Sequence, residues 1–138
     1  MKIDLRLANP LLRRDEALFS RCARLCCEAA ILSNRALIHR AKEIGKPIPL
    51  LYQSGVVYEN EPPDMVDECV DIPTILERGS GDCMHLCCWR VAELREMGEK
   101  RARIALTWKV KGKNKRIFHV IVRRGNGSLE DPSKLLGM

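Results

Sequence analysis

A thiol at the end of a glycine-rich turn is the group in this chain best placed to do chemistry. Gly79-Ser80-Gly81-Asp82-Cys83 delivers Cys83 to the start of a stretch, about Cys83 to Met97, that reads as an amphipathic helix. A free thiol with a pKa of about 8.5 is mostly protonated at neutral pH, but the positive end of a helix dipole and a neighbouring imidazolium together favour the thiolate. The partners such a nucleophile needs lie downstream: His119 in the apolar run Ile117-Phe118-His119-Val120-Ile121-Val122, and Asp131 after a Gly125-Asn126-Gly127 turn. His119 would take and return the proton, while Asp131 would fix the imidazole tautomer and stabilise the imidazolium. The spacing of 36 residues from Cys83 to His119 leaves room for a helix and a hairpin, and that of 12 from His119 to Asp131 for one turn.

Asp82 fits an N-cap that accepts backbone N–H groups of the first helical turn, although its charge opposes thiolate formation unless those bonds absorb it. Gly79 and Gly81 let the backbone approach a substrate, and the Cys83 N–H is positioned to donate to the oxyanion of a tetrahedral intermediate. Gly81 and Asp82 are therefore candidate substrate-binding positions. For a second oxyanion donor, Gln53 and Tyr58 are the candidates by position, with a structural role the alternative for each. Taken singly, the other two residues have plainer readings: a histidine on an apolar strand is commonly a satisfied core residue, and Asp-Pro commonly opens a turn. It is the ordered set that points to catalysis.

The elements that must position these residues follow from periodicity and stop signals. A first helix is expected from Arg14 or Asp15 to about Glu43, ended by Gly45 with Pro47 beyond it. Leu18, Cys22, Leu25, Ala29, Leu32, Ala36 and Ile44 fall at three- and four-residue steps along it and predict its buried stripe. Pro47, Pro49, Gly55, Pro62 and Pro63 then punctuate an irregular region in which Val56-Val57-Tyr58 forms a short extended segment. Pro73 opens a helical turn, Thr74 to Arg78. The second long helix buries Leu86, Val91, Leu94 and Met97, and Gly98 ends it in the left-handed conformation that other residues resist. Ala102, Ile104, Leu106, Trp108 and Val110 alternate with a period of two, and Ile117 to Arg124 returns as the second strand of a hairpin whose loop contains Gly112 and Asn114. A third short strand ends at Asp131-Pro132. The fold class is α+β.

At 138 residues and 46% hydrophobic content the chain suits one domain. Residues 1–48 would form a helical scaffold and 49–138 the catalytic core. No run approaches the roughly 18 to 20 apolar residues of a membrane span, and Met1 to Asn9 carries Lys2, Asp4 and Arg6, unlike a signal peptide. A soluble, cytoplasmic protein is expected. Seven cysteines is an odd number, and Cys26-Cys27 and Cys87-Cys88 are adjacent pairs pointing about 100° apart on a helix, which suits thiols packed as small hydrophobes. The net charge of +6 permits acidic partners, and Lys109 to Arg116 holds five basic residues in eight positions, a pattern typical of a solvated hairpin tip. An aromatic content of 4% argues against a stacking platform for single-stranded nucleic acid.

The residues Asp71-Ile72-Pro73-Thr74-Ile75-Leu76-Glu77-Arg78-Gly79-Ser80-Gly81-Asp82-Cys83, Leu86, Trp89 to Arg95, the Trp108 strand, Phe118-His119-Val120 and Asp131-Pro132-Ser133 carry a family resemblance. Over residues 50 to 138 the chain resembles the transglutaminase-like cysteine proteins of papain-like fold, in particular the small forms encoded by phages and prophages. The resemblance implies Cys83 as nucleophile, His119 as general base and acid, Asp131 as orienting residue, and a catalytic helix cradled by a small antiparallel sheet. It implies no cofactor and a peptide or protein substrate, a phage structural protein among the options. The thioester at Cys83 could be resolved by water, as in a protease or amidase, or by a lysine amine, as in a cross-linking transglutaminase. The chain's small size favours hydrolysis. Met84-His85 and Cys87-Cys88 depart from the pattern of similar proteins. They leave open a zinc or iron module built from Cys83, His85, Cys87 and Cys88 with Cys22, Cys26 and Cys27, although Cys83 and Cys87 at i, i+4 supply two ligands only. A basic binding protein with a relic triad is the third reading.

Overall fold

Asp15 starts the longest element of the chain, its carboxylate accepting the Leu18 N–H at 2.9 Å in an N-cap of ordinary geometry. Helix α1 follows from Glu16 to Glu43. The computed structural model describes residues 1–5, 15–60, 67–113 and 115–138. Within them α1 ends where expected, but its buried stripe is Ala23, Cys27, Ala30, Ile31, Asn34 and Ile38. The expected stripe is overturned: Leu25 is 72% exposed, Leu32 60% and Ile44 57%, and Ala36 is also exposed. Small side chains let α1 approach its neighbours closely, and a polar residue sits in the middle of the stripe because it has a partner. The Oδ1 of Asn34, fully buried, accepts the Ile72 N–H at 3.1 Å.

Ile72 begins helix α2, Ile72–Arg78, about two turns, N-capped by Asp71 through the Thr74 N–H. Two strands absent from the sequence reading precede it. Strand β1, Lys2–Leu5, pairs antiparallel with β3, Asp67–Val70. The ladder is reinforced by Lys2 and Arg78, which contact the Glu68 carboxylate at 2.7 and 2.6 Å, and by the N-terminal amine on Asp71. A short 3₁₀ turn, Leu51–Gln53, and strand β2, Val57–Tyr58, lie between α1 and β3. Val57 and Tyr58 pair in parallel with Ser80 and Gly81, which form strand β4.

Helix α3, Cys83–Glu96, is the central element. None of its residues is exposed: Met84 to Trp89 and Val91 to Leu94 are all buried, so it is less amphipathic than its sequence suggests, while Met97 just beyond it is 56% exposed. It packs against α1 and against a three-stranded antiparallel sheet of β5 (Arg103–Lys111), β6 (Lys115–Arg123) and β7 (Leu129–Glu130), with β6 in the middle. The basic run does form the end of the β5–β6 hairpin, with Gly112 in its turn at φ 68°; Asn114 lies outside the described residues. Phe19 of α1 packs on the cross-strand pair Trp108 and Phe118, with ring centroids 5.9 and 5.0 Å away. Helix α4, Pro132–Leu135, completes the α+β fold. One hydrophobic cluster holds residues of α1, β3, α2, α3, β5 and β6, so residues before and after position 48 share it. No helix among the described residues is long and apolar enough to cross a membrane.

Ion pairs at the periphery should make this fold acid-sensitive. Hydrogen bonds from Arg124 and from the Gly125 N–H hold the Glu99 carboxyl down at about 2, and Lys2 with Arg78 lowers that of Glu68. A carboxyl depressed in the folded state stabilises above its unfolded pKa and loses that contribution as pH falls through the folded one. Burial raises the Glu93 carboxyl instead, which acts with the opposite sign. Glu99 and Glu68, with Asp71 and Glu130, whose carboxyls are also held low, should lower Tm as pH falls from about 4.5 to about 2, and Glu99→Gln should flatten the lower end of that decline. A Tm constant over this range would contradict the assignment.

Candidate active site

The turn that carries Cys83 is held on both sides. Gly79 ends α2 in the left-handed conformation, φ 71°, and donates its N–H to Ile75 O at 2.9 Å. Gly81 is small because of the helix that follows it: a Cβ there would lie 3.1 Å from His85 Cβ and 3.4 Å from Leu86 Cδ2. Asp82 is the N-cap of α3, accepting the His85 N–H at 2.9 Å, while its own N–H donates to His85 Nδ1 at 3.2 Å. This is a reciprocal capping box with histidine in the position usually taken by Glu or Gln. Asp82 is buried and its carboxylate serves the cap, and Cys83, the first helical residue, is half-buried just beyond it.

His119 sits opposite Thr107 in the β5–β6 ladder. The strand alternates: Val120 and Val122 are fully buried, whereas Ile117, His119 and Ile121 lie on the other face, where Ile117 is 36% exposed. The histidine is therefore not part of the sealed core. Its Nε2 lies 3.0 Å from Asp131 Oδ2, so Nδ1 is the nitrogen left for a proton donor. Asp131 is held in turn by its second role, because Oδ1 accepts the Lys134 N–H at 3.4 Å as the N-cap of α4.

Cys87 and the segment Tyr58-Glu59 link the elements that carry this pair to the cysteine turn. Cys87, one turn along α3 from Cys83, donates its thiol to Val120 O at 3.2 Å and so ties α3 to the β6 main chain at the residue after His119. The Tyr58 N–H donates to Leu136 O at 2.8 Å, and the Glu59 N–H to Gly81 O at 3.0 Å, which places β2 between the cysteine turn and the C-terminal segment. Burial, and then the charges of Cys83, Asp82 and Asp131, raise the Tyr58 phenol above its ordinary range. Burial followed by the charges of Cys83 and Asp131 also pushes the Cys87 thiol up. Cys83 and Asp131 thus lie within electrostatic reach of the same two side chains. Of the two candidate second donors, Tyr58 joins this cluster, its hydroxyl 3.3 Å from Asn60 Oδ1. Gln53 is exposed in the 3₁₀ turn, and among the described residues no side-chain hydrogen bond ties it to the cluster. A thiol at a helix start, an imidazole oriented by a carboxylate and a nearby phenol are the parts needed to add a nucleophile to an acyl carbon and then discharge it.

The remaining cysteines are arranged otherwise than the sequence suggests. Cys83, His85, Cys87 and Cys88 do not gather round a point: Cys87 faces β6, while Cys88 turns toward α1 and β3. The thiols that do converge are those of Cys27, Cys69 and Cys88, all buried, with their sulfurs within 4.8 Å of one another. Hydrogen bonds with Cys27 and Cys88 pull the Cys69 thiol down, and contacts within the trio help push Cys27 and Cys88 up. Cys69 was not singled out in the sequence, where it stands alone between Glu68 and Val70 with no spacing signal. Comparison with known protein families, with curated proteins and with solved structures yields no match to this chain.

Proposed function

We propose that the chain is a cysteine-dependent acyl-transfer enzyme of the transglutaminase-like, papain-like kind, acting on a peptide or glutamine amide. The observation that carries this reading is the 3.0 Å contact between His119 Nε2 and Asp131 Oδ2 in a cluster that also reaches Cys83. In the proposed cycle the Cys83 thiol gives its proton to His119 Nδ1 and its sulfur adds to the amide carbon. The Cys83 N–H stabilises the oxyanion, with Tyr58 the better placed second donor. His119 then protonates the departing amine, leaving a thioester, and next activates the water that hydrolyses it. Asp131 holds the imidazole in the required tautomer throughout. Hydrolysis is the favoured outcome over cross-linking, and the substrate is a protein segment, a phage structural protein among the options.

Incubating the protein with glutamine-containing peptides and a primary amine, followed by mass spectrometry, separates the possible outcomes. Deamidated or cleaved peptide marks a hydrolase, an amine adduct marks a transglutaminase, and no product that depends on Cys83 would refute the proposal. Asp131→Ser tests the orienting role, because serine still caps α4 while its hydroxyl cannot reach His119. Turnover should fall by about a hundredfold to ten-thousandfold, with the pH–rate profile altered and Tm nearly unchanged. A loss of Tm that accounts for the loss of rate would assign Asp131 to the cap alone.

A further inference from the structure

Three thiols from three separate elements meet in the interior, well apart in sequence from one another. Cys27 comes from the middle of α1, Cys69 from β3 and Cys88 from the second turn of α3, with exposures of 0%, 2% and 1%. Thiols that serve only as small hydrophobes have no need to converge. Cys87, equally buried, shows the packing alternative by giving its proton to a backbone carbonyl. Cys88 does direct its thiol at Cys27 O, but at 3.8 Å, longer than the 3.2 Å from the Cys87 thiol to Val120 O. Three sulfurs bound to one zinc-like ion at about 2.3 Å stand about 3.8 to 4.0 Å apart, and these already lie within 4.8 Å of one another. A contraction of less than about 1 Å would therefore complete the site. Thiolates are the soft ligands that select zinc and copper(I).

We propose that Cys27, Cys69 and Cys88 form a three-thiolate site for one thiophilic closed-shell metal ion, zinc(II) or copper(I) in class. Binding forms metal–sulfur bonds and releases the thiol protons to solvent, with no change in oxidation state. Because the site is sealed, the ion enters as the chain folds and pins α1, β3 and α3 to each other. It lies apart from Cys83 and does not depend on the proposed acyl transfer.

The full-length protein, purified under reducing conditions without chelator, should carry about one equivalent of zinc or copper. Refolding with cadmium(II) should produce a thiolate-to-metal charge-transfer absorption that saturates at one ion per chain and a raised Tm. Cys69→Ser should abolish that absorption, and Cys83→Ser should leave it intact. Should Cys69→Ser fail to fold, X-ray absorption on the cadmium-loaded wild type gives an independent count, three sulfur scatterers being expected. Absence of the charge-transfer band, its persistence in folded Cys69→Ser, a sulfur count other than three, or a disulfide within the trio would each overturn the site.

Discussion

Replacing Cys83 with alanine is expected to reduce turnover by at least about a thousandfold without lowering Tm appreciably, since the thiol is half-buried at the first position of α3 and the cap is made by Asp82 and His85. Alkylation offers a test that needs no substrate. Exposure alone predicts that iodoacetamide labels Cys22, Cys26 and Cys83, the three cysteines that are not buried. Burial also raises the Cys26 thiol, which slows it. An activated nucleophile predicts a different order, with Cys83 labelled well ahead of Cys22, and with His119→Ala slowing Cys83 while Cys22 is unaffected. Peptide mapping over a time course distinguishes the two. Equal rates at Cys22 and Cys83, or a His119→Ala variant that labels like the wild type, would remove the nucleophile from the proposal.

The largest expected effect on stability belongs to Glu93, which has no part in the proposed chemistry. Its carboxylate is 3% exposed, accepts the Leu51 N–H and meets Arg90 Nη1 at 3.0 Å. Arg90 continues to Glu130 at 2.7 Å, which also takes Tyr52 and, at 2.8 Å, Arg124. The network ties α3 to the 3₁₀ turn and to β7. Glu93→Ala leaves a buried N–H without its acceptor and removes part of the neutralisation of Arg90, a loss of about 3 to 5 kcal/mol. Glu93→Gln keeps an acceptor for Leu51 and should cost markedly less. Thermal or urea unfolding of the two variants reads the difference, and near-identical stabilities would show that the network contributes little.

How far such features can be read in advance depends on how local their physics is. The α1 boundaries, the Gly79 stop, the start of α3 at Cys83 and the β5–β6 hairpin were legible because caps, glycine conformations and alternation act within a few residues. The His119–Asp131 contact was legible as a combination, since one turn separates two neighbouring strands. The α1 stripe was not. Asn34 broke the apolar pattern while Leu25 and Leu32 supplied a false one, and only the partner at Ile72 explains why asparagine belongs inside. Pairing of β1 with β3 joins segments more than sixty residues apart, and the Cys69 cluster needs three elements at once. Neither leaves a periodic trace in the chain.

The double duty of Asp131 couples local fraying to the readiness of the site. One carboxylate oxygen caps a helix of four residues and the other holds His119, so opening of that helix and release of the imidazole draw on the same side chain. Short helices open far more often than a core does. Hydrogen exchange at the Lys134 and Leu135 amides, both directed at Asp131, therefore measures the fraction of time His119 spends correctly oriented, and does so in the resting protein before any substrate is known.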